Sequence, residues 1–366
     1  MCRTRPKARH GTRRGPFVLA LSIAFLAGGC GSDQGSLAVN PPPGVPPVDT
    51  TSVVDTQPPA PPQPPAPPQP PTPPQPPAPP PEYTGIPFGP FGLWRSDSLN
   101  YGPQPFTGSH NYINASAIIL QINNARALGQ RLVLAMSGGE SSEFVTNGQF
   151  DMTKWKNRMD TYDRDSIKAA VAAAVEDGTV VGNTLIDEPE TKQWGNNITK
   201  GMIDEMAVYV KNMFPTLPVG VNHGPPAYLK WRTSEQYHVV DYVLYQFAHY
   251  VTQGDVAAWR DAVLAQAKSQ GAAAALSLNI LNGGPQDRDG TWDCQGEPGR
   301  GKRSPNCQIS PTDLVNWAKQ LAPYGCFLTL WRYDPTYMSD PVNVDAFKDI
   351  AAYTASLPRR SCKRGS

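Results

Sequence analysis

Cysteine and histidine are scarce in this chain, six and five among 366 residues. No two cysteines stand at CxxC spacing and no two histidines at HExxH spacing, so the sequence offers neither a structural zinc knuckle nor a zinc-protease helix. A GxGxxG turn and a P-loop are both missing, which removes the two common phosphate cradles. There is also no nucleophile elbow. Charged residues make up 17% of the chain and leave a formal net charge of +1. With no basic face and no acidic block, nucleic acid is not an expected partner. The loop "QDRDGTWDCQGEPGRGKRSPNC" (286–307) has a "DRDG" start, but its downstream Glu is misplaced for a calcium loop. No cofactor and no metal ligand set are expected.

What the chain does have is proline, 41 residues of it. Much of that lies in "QPPAPPQPPAPPQPPTPPQPPAPPP", a repeat of period six from Gln57 to Pro81. Proline has no backbone N–H, so such a segment forms no packed core; it adopts polyproline II. At about 3.1 Å per residue it reaches on the order of 75 Å. Ahead of it, residues 1–16 carry Arg3, Arg5, Lys7, Arg9, Arg13 and Arg14, followed by the apolar "FVLALSIAFLAGGC" from Phe17 to Cys30. A basic start, a short apolar stretch and small residues before a cut site predict a secretory signal. The stretch is too short to span a bilayer stably. Its ending, "LAGGC", resembles a bacterial lipobox, which implies lipidation of Cys30. The expected organisation is a lipoprotein signal over 1–29, a disordered proline-rich linker over 30–81 and one folded domain over 82–366. The expected location is the bacterial cell envelope, with a lipid anchor in a membrane and the domain facing the periplasm or the exterior.

The folded part alternates short apolar runs with longer amphipathic stretches, the pattern of repeated βα units and a parallel sheet. Strands are predicted at 88–98, 131–139, 180–190, 217–224, 239–249, 273–284 and 326–334, with 105–113 as the candidate that completes eight. Helices are predicted between them, among them 150–178 in two pieces and 310–325 capped by Ser310. Eight strands in about 280 residues predict an α/β fold, a (β/α)8 TIM barrel, and a monomer. An even set of cysteines remains beyond Cys30 in an exported chain. Proximity suggests Cys294 with Cys307 and Cys326 with Cys362.

In such a barrel the active site lies at the C-terminal ends of the strands. The strand ends here carry Trp94, Arg95 and Asp97; His110 and Asn111; Ser137 and Glu140; Asp187, Glu188 and Glu190; Asn222 and His223; Tyr245, Gln246 and His249; Asn279 and Asn282; and Trp331, Arg332, Tyr333 and Asp334. Apolar strand bodies with polar and aromatic ends suit a hydroxyl-rich ligand. From these, Trp94, Arg95, Asp97, Asn222, His223, Tyr245, Gln246, Asn279, Trp331 and Arg332 are candidate substrate-binding residues. Glu188, Asp187, Asp334 and Glu140 are candidate catalytic residues.

The fourth strand runs "VVGNTLIDEPE" from Val180 to Glu190, and its Asp187-Glu188-Pro189 resembles the acid/base strand end of the clan A glycoside hydrolases. That resemblance implies a (β/α)8 barrel in which Glu188 protonates the leaving oxygen and Asp187 orients substrate and acid. It covers residues 86–357 in architecture. The clan's nucleophile is a Glu on the seventh strand, where this chain has Asn279 and Asn282. A second carboxylate is therefore sought at Asp97, Glu140 or Asp334, since glycoside hydrolysis needs two. The expectation is a surface-tethered hydrolase of a poly- or oligosaccharide. A non-catalytic carbohydrate-binding lipoprotein on the same scaffold is the alternative.

Overall fold

A computed structural model describes residues 83–93, 105–138, 141–225, 230–249, 255–281 and 308–366. Eight parallel strands form one sheet: β1 (Phe88–Pro90), β2 (Gly108–Tyr112), β3 (Arg131–Ala135), β6 (Val180–Asp187), β7 (Val219–His223), β8 (Tyr242–Phe247), β9 (Ala273–Asn279) and β10 (Leu328–Trp331). The sheet order is β1-β10-β9-β8-β7-β6-β3-β2, so each barrel strand pairs with its neighbours in sequence. A parallel bridge between Phe91 and His110 closes the ring. There Gly92 N–H donates to the His110 carbonyl at 2.7 Å and Thr107 N–H to the Phe88 carbonyl at 3.0 Å. Closure pairs the two edges of this eight-stranded sheet with each other. The fold is a TIM barrel, as the alternation of elements predicts.

The helices lie outside the ring: α1 (Ile118–Ala127), α2 (Met152–Asp160), α3 (Asp165–Glu176), α4 (Lys200–Met213), α5 (Val256–Ser269), α6 (Pro311–Leu321), the short α7 (Pro335–Ser339) and α8 (Pro341–Ser356). Their starts are written in the sequence. Asp151, Thr199, Asp255, Ser310, Asp334 and Asp340 each accept a backbone N–H at a helix N-cap. The predicted strand at 105–113 is β2, and the predicted helix at 150–178 is α2 and α3. A hairpin of β4 (Val145–Thr146) and β5 (Gln149–Phe150) was not foreseen; two-residue strands are below what apolar alternation can signal.

Two packing layers result. Outward-facing strand residues such as Leu132, Leu134, Leu185, Val219 and Val221 meet the helices in the main core. A smaller cluster of Val133, Tyr242, Leu244, Ala273, Ala275 and Phe327 belongs to the barrel interior. Tyr242 fits only because β6 and β7 carry glycine beside it. A Cβ on Gly220 would lie 2.2 Å from its ring, and one on Gly182 2.7 Å. At the N-terminal end of the barrel, Cys326 and Cys362 form the expected disulfide. Next to it Arg364 donates to the carbonyls of Val240, Tyr237 and Gln270 at 3.0, 2.8 and 2.6 Å. The closed end is thus stapled, which leaves the other end to carry chemistry. Among the described residues, no helix is long and apolar enough to cross a membrane.

Candidate active site

β6 delivers three acids to the open end in a short space, and the chain must turn sharply to place them. Glu188 takes a left-handed backbone, φ +48°. For a non-glycine residue ahead of proline that conformation costs on the order of 1–3 kcal/mol. Three bonds hold it: Glu188 N–H donates to the Asn222 carbonyl at 2.9 Å, and the Thr191 N–H and hydroxyl donate to the Glu188 carbonyl at 3.0 and 2.8 Å.

The turn sends the three carboxyl groups to different tasks. Glu190 is structural. Its side chain is 2% exposed; one oxygen meets His223 Nδ1 at 2.9 Å and the other accepts Gly224 N–H at 2.8 Å. The second ring nitrogen of His223 meets the Tyr237 hydroxyl at 3.1 Å, and Tyr245 stacks on the ring with centroids 6.2 Å apart. Asp187 faces the mouth and is half-buried. Asn222 donates to one of its oxygens at 3.2 Å and the Tyr112 hydroxyl to the other at 3.5 Å. The Trp194 indole N–H fixes its carbonyl at 2.7 Å.

Glu188 is also half-buried, with no hydrogen-bond partner for its carboxyl among the described residues. Burial, reinforced by the negative charges of Asp187 and Glu190, pushes its carboxyl up to about 8. Burial raises Asp187 as well, to about 6, against the hydrogen bond from Asn222. Two adjacent acids raised in this way by burial and by each other hold a proton between them near neutral pH. An ionised Asp187 beside a protonated Glu188 is the electrostatic state a proton donor needs.

The mouth is lined by Phe91, His110, Asp187, Glu188, Asn222, His223, Leu244, Gln246, Ser277, Thr329 and Trp331. Of the sequence candidates, Asp187, Glu188, Asn222, His223, Gln246 and Trp331 meet there. Asn279 stands behind, donating to Gln246 at 3.0 Å. Tyr245 is buried against His223, and Arg332 is exposed with its guanidinium 5.7 Å from the Trp331 ring centroid. Asp334 caps α7, accepting the Tyr337 N–H at 3.1 Å, and does not line the mouth. Trp94, Arg95, Asp97, Glu140, Asn282, Cys30, Cys294 and Cys307 lie outside the described residues. Among the described residues, no third carboxylate lines the mouth and no cluster of His, Cys, Asp or Glu is arranged to hold a metal.

Sequence reading assigned no role to Phe91, Tyr112, Leu244, Ser277, Thr329 or Gly224. Ser277 and Thr329 left a signal: each is a lone polar residue inside an apolar strand, in "ALSL" and "FLTLW". Gly224 left none, since one glycine beside two prolines reads as an ordinary turn.

No family model matches the chain, and no curated protein matches it either. Solved structures with a similar course do exist. Native xylanase 10B from Thermotoga maritima shares 11% identity over 74% of this chain and 96% of its own, with a TM-score of 0.44. The endo-1,4-beta-mannanase from Eisenia fetida shares 10% over 72% of this chain and 82% of its own, TM-score 0.41. Native xylanase10C from Cellvibrio japonicus shares 10% over 76% and 72%, TM-score 0.43. Likenesses at these values assign no activity; the barrel rests on its own strand order, and the site on its own geometry.

Proposed function

We propose that this barrel is a glycoside hydrolase acting on a poly- or oligosaccharide, with Glu188 as the general acid. The observation that carries this reading is the acid pair. Burial and the neighbouring negative charges raise both carboxyls, Glu188 to about 8 and Asp187 to about 6, so the pair holds a proton in the neutral range. The pair sits among hydroxyl-reading side chains (Asn222, Gln246) and the Trp331 face. In the reaction Glu188 gives its proton to the glycosidic oxygen as the C–O bond breaks. Asp187 stabilises the positive charge that develops at the sugar carbon, and water or a second carboxylate completes the displacement. Asp97 and Glu140 remain the sequence candidates for that second carboxylate.

The test is release of reducing ends from a broad glycan panel by the full chain, beside Glu188→Gln. Loss of release in the variant supports the assignment. Unchanged release moves the acid elsewhere. One observation favours a second reading, a non-catalytic carbohydrate binder: β9 ends in Asn279, tied to Gln246, rather than in a carboxylate. Glycan binding by both proteins with release by neither selects it.

The tether belongs to the same proposal. Cys30 lipidation and the proline segment from Gln57 to Pro81 would hold the barrel away from an envelope membrane. Fatty-acid labelling of the chain, lost in Cys30→Ala, tests this.

A further inference from the structure

Three polar atoms at the floor of the barrel mouth are buried with no hydrogen-bond partner among the described residues: His110 Nδ1, Ser277 Oγ and Thr329 Oγ1. The three residues are 1%, 1% and 4% exposed, and all three line the cavity that holds Asp187 and Glu188. Ser277 and Thr329 are register partners on β9 and β10, so their hydroxyls leave neighbouring strands on the same face. Each lies two residues before the last residue of its strand, Asn279 or Trp331. That is one inward-facing step, roughly 6–7 Å, deeper into the barrel. His110 joins them from the seam where β2 meets Phe91. Orphaned buried polar atoms are rare and costly in folded proteins. Three in one cavity of about 10 Å³, room for one water-sized group, call for a small polar partner.

The hydrogen-bond chain on the far side of His110 defines which partner. Asn222 uses its amide N–H on Asp187, so its carbonyl oxygen accepts the Thr184 hydroxyl proton at 3.3 Å. With the Thr184 proton on Asn222, its oxygen accepts from the Tyr242 hydroxyl at 3.4 Å and from His110 Nε2–H at 2.9 Å, the tautomer of the neutral ring that leaves the Nδ1 lone pair to the cavity. Burial lowers the imidazole to about 3, which keeps it neutral. The floor thus offers one acceptor and two hydroxyls that give or take. An anion has no proton for Nδ1 and would sit near Asp187. An ammonium would shed its water for neutral acceptors walled by Phe91 and Leu244. A neutral O–H satisfies all three: it donates to Nδ1 and its two lone pairs accept from Ser277 and Thr329.

We propose that His110, Ser277 and Thr329 form a specificity site that binds one hydroxyl of the sugar residue in the mouth. The inference rests on reading the mouth as a sugar site and names what selects the sugar. A ring whose hydroxyl or hydroxymethyl group reaches the floor is bound; one lacking that group leaves the floor unpaired and is rejected.

The experiment is nitrogen-15 spectroscopy of the full chain labelled at its five histidines, titrated with cellotriose, mannotriose, chitotriose and xylotriose, alongside calorimetry. Xylotriose lacks hydroxymethyl groups. The expected result is that a bound sugar moves the His110 Nδ1 signal in the direction of an accepted hydrogen bond while Nε2 holds. Ser277→Ala with Thr329→Val then weakens that sugar at least about tenfold. Binding that leaves Nδ1 unmoved and survives in the double variant overturns the specificity site alone. An Nδ1 already hydrogen-bonded without sugar, and unchanged by it, assigns the floor to a resident water and also overturns it. No binding by any trisaccharide overturns the sugar reading of the mouth, and this inference with it.

Discussion

The carboxyl group of Glu188 rests against the α-carbon of Gly224. A Cβ on Gly224 would lie 2.3 Å from Glu188 Oε1 and 2.6 Å from its Cδ. Glu190, two residues along the same turn, anchors the Gly224 N–H at 2.8 Å, so the strand end that carries one acid also places the surface against which the other lies. Gly224→Ala moves the flexible end of Glu188 rather than the backbone. The expected outcome is a fall in turnover of about 10²-fold with the melting temperature nearly unchanged, read by paired kinetics and thermal unfolding. A loss of both together would place Gly224 in the fold rather than in the site.

The pH profile of turnover follows from the acid pair. Glu188 must hold its proton and Asp187 must be ionised, so activity is expected to be bell-shaped between about 6 and about 8. Asp187→Asn should flatten the acidic limb. A profile with no limb near 8 would remove Glu188 from the role of acid.

Stability should respond to the same proton. Burial raises Glu188 above its unfolded value of 4.5 to about 8, so between these values the folded state holds a proton that the unfolded chain has released. Stability is therefore lost as pH rises through that window. Glu188→Gln removes Glu188's share of the slope and leaves that of Asp187, which ends near pH 6. It is expected to stabilise the fold at pH 8 by about 2 kcal/mol, the full shift being discounted for partial solvent access, and to change little at pH 4. Urea unfolding at both pH values measures it.

Glu190 is expected to matter for architecture first. Glu190→Gln puts an amide where two oxygens now accept from Gly224 N–H and face His223 Nδ1. A cost of about 1–3 kcal/mol in denaturant unfolding is expected. Turnover should fall as well, because Gly224 and Glu188 shift with the strand end. An unchanged unfolding midpoint would sink the structural assignment.

Reduction of Cys326–Cys362 should destabilise the barrel without touching its mouth. The loop closed spans 36 residues of sequence separation. Chain entropy assigns such a loop about 3–4 kcal/mol. The Cys326→Ser/Cys362→Ser protein is expected to unfold at lower urea and, below that, to bind ligands with unchanged affinity.

The sequence by itself determined the barrel, the helix starts and the strand that carries the acids. Those are local quantities: apolar runs at strand period, capping Ser, Thr and Asp residues, and a proline that ends "IDEPE". It also determined a pair of acids at a strand end, where burial and mutual repulsion set their titrations apart. What only the tertiary structure decided is which acid does what. Glu188 and Glu190 are two residues apart and chemically alike, yet a left-handed backbone turns one into the mouth and sends the other behind it to His223 and Gly224. Asp334 follows a strand's end by three residues, and the helix after it claims it as a cap. The floor of His110, Ser277 and Thr329 exists only because three strands far apart in sequence close into one ring. No spacing along the chain encodes that convergence, since it depends on register across the barrel rather than on neighbours in sequence.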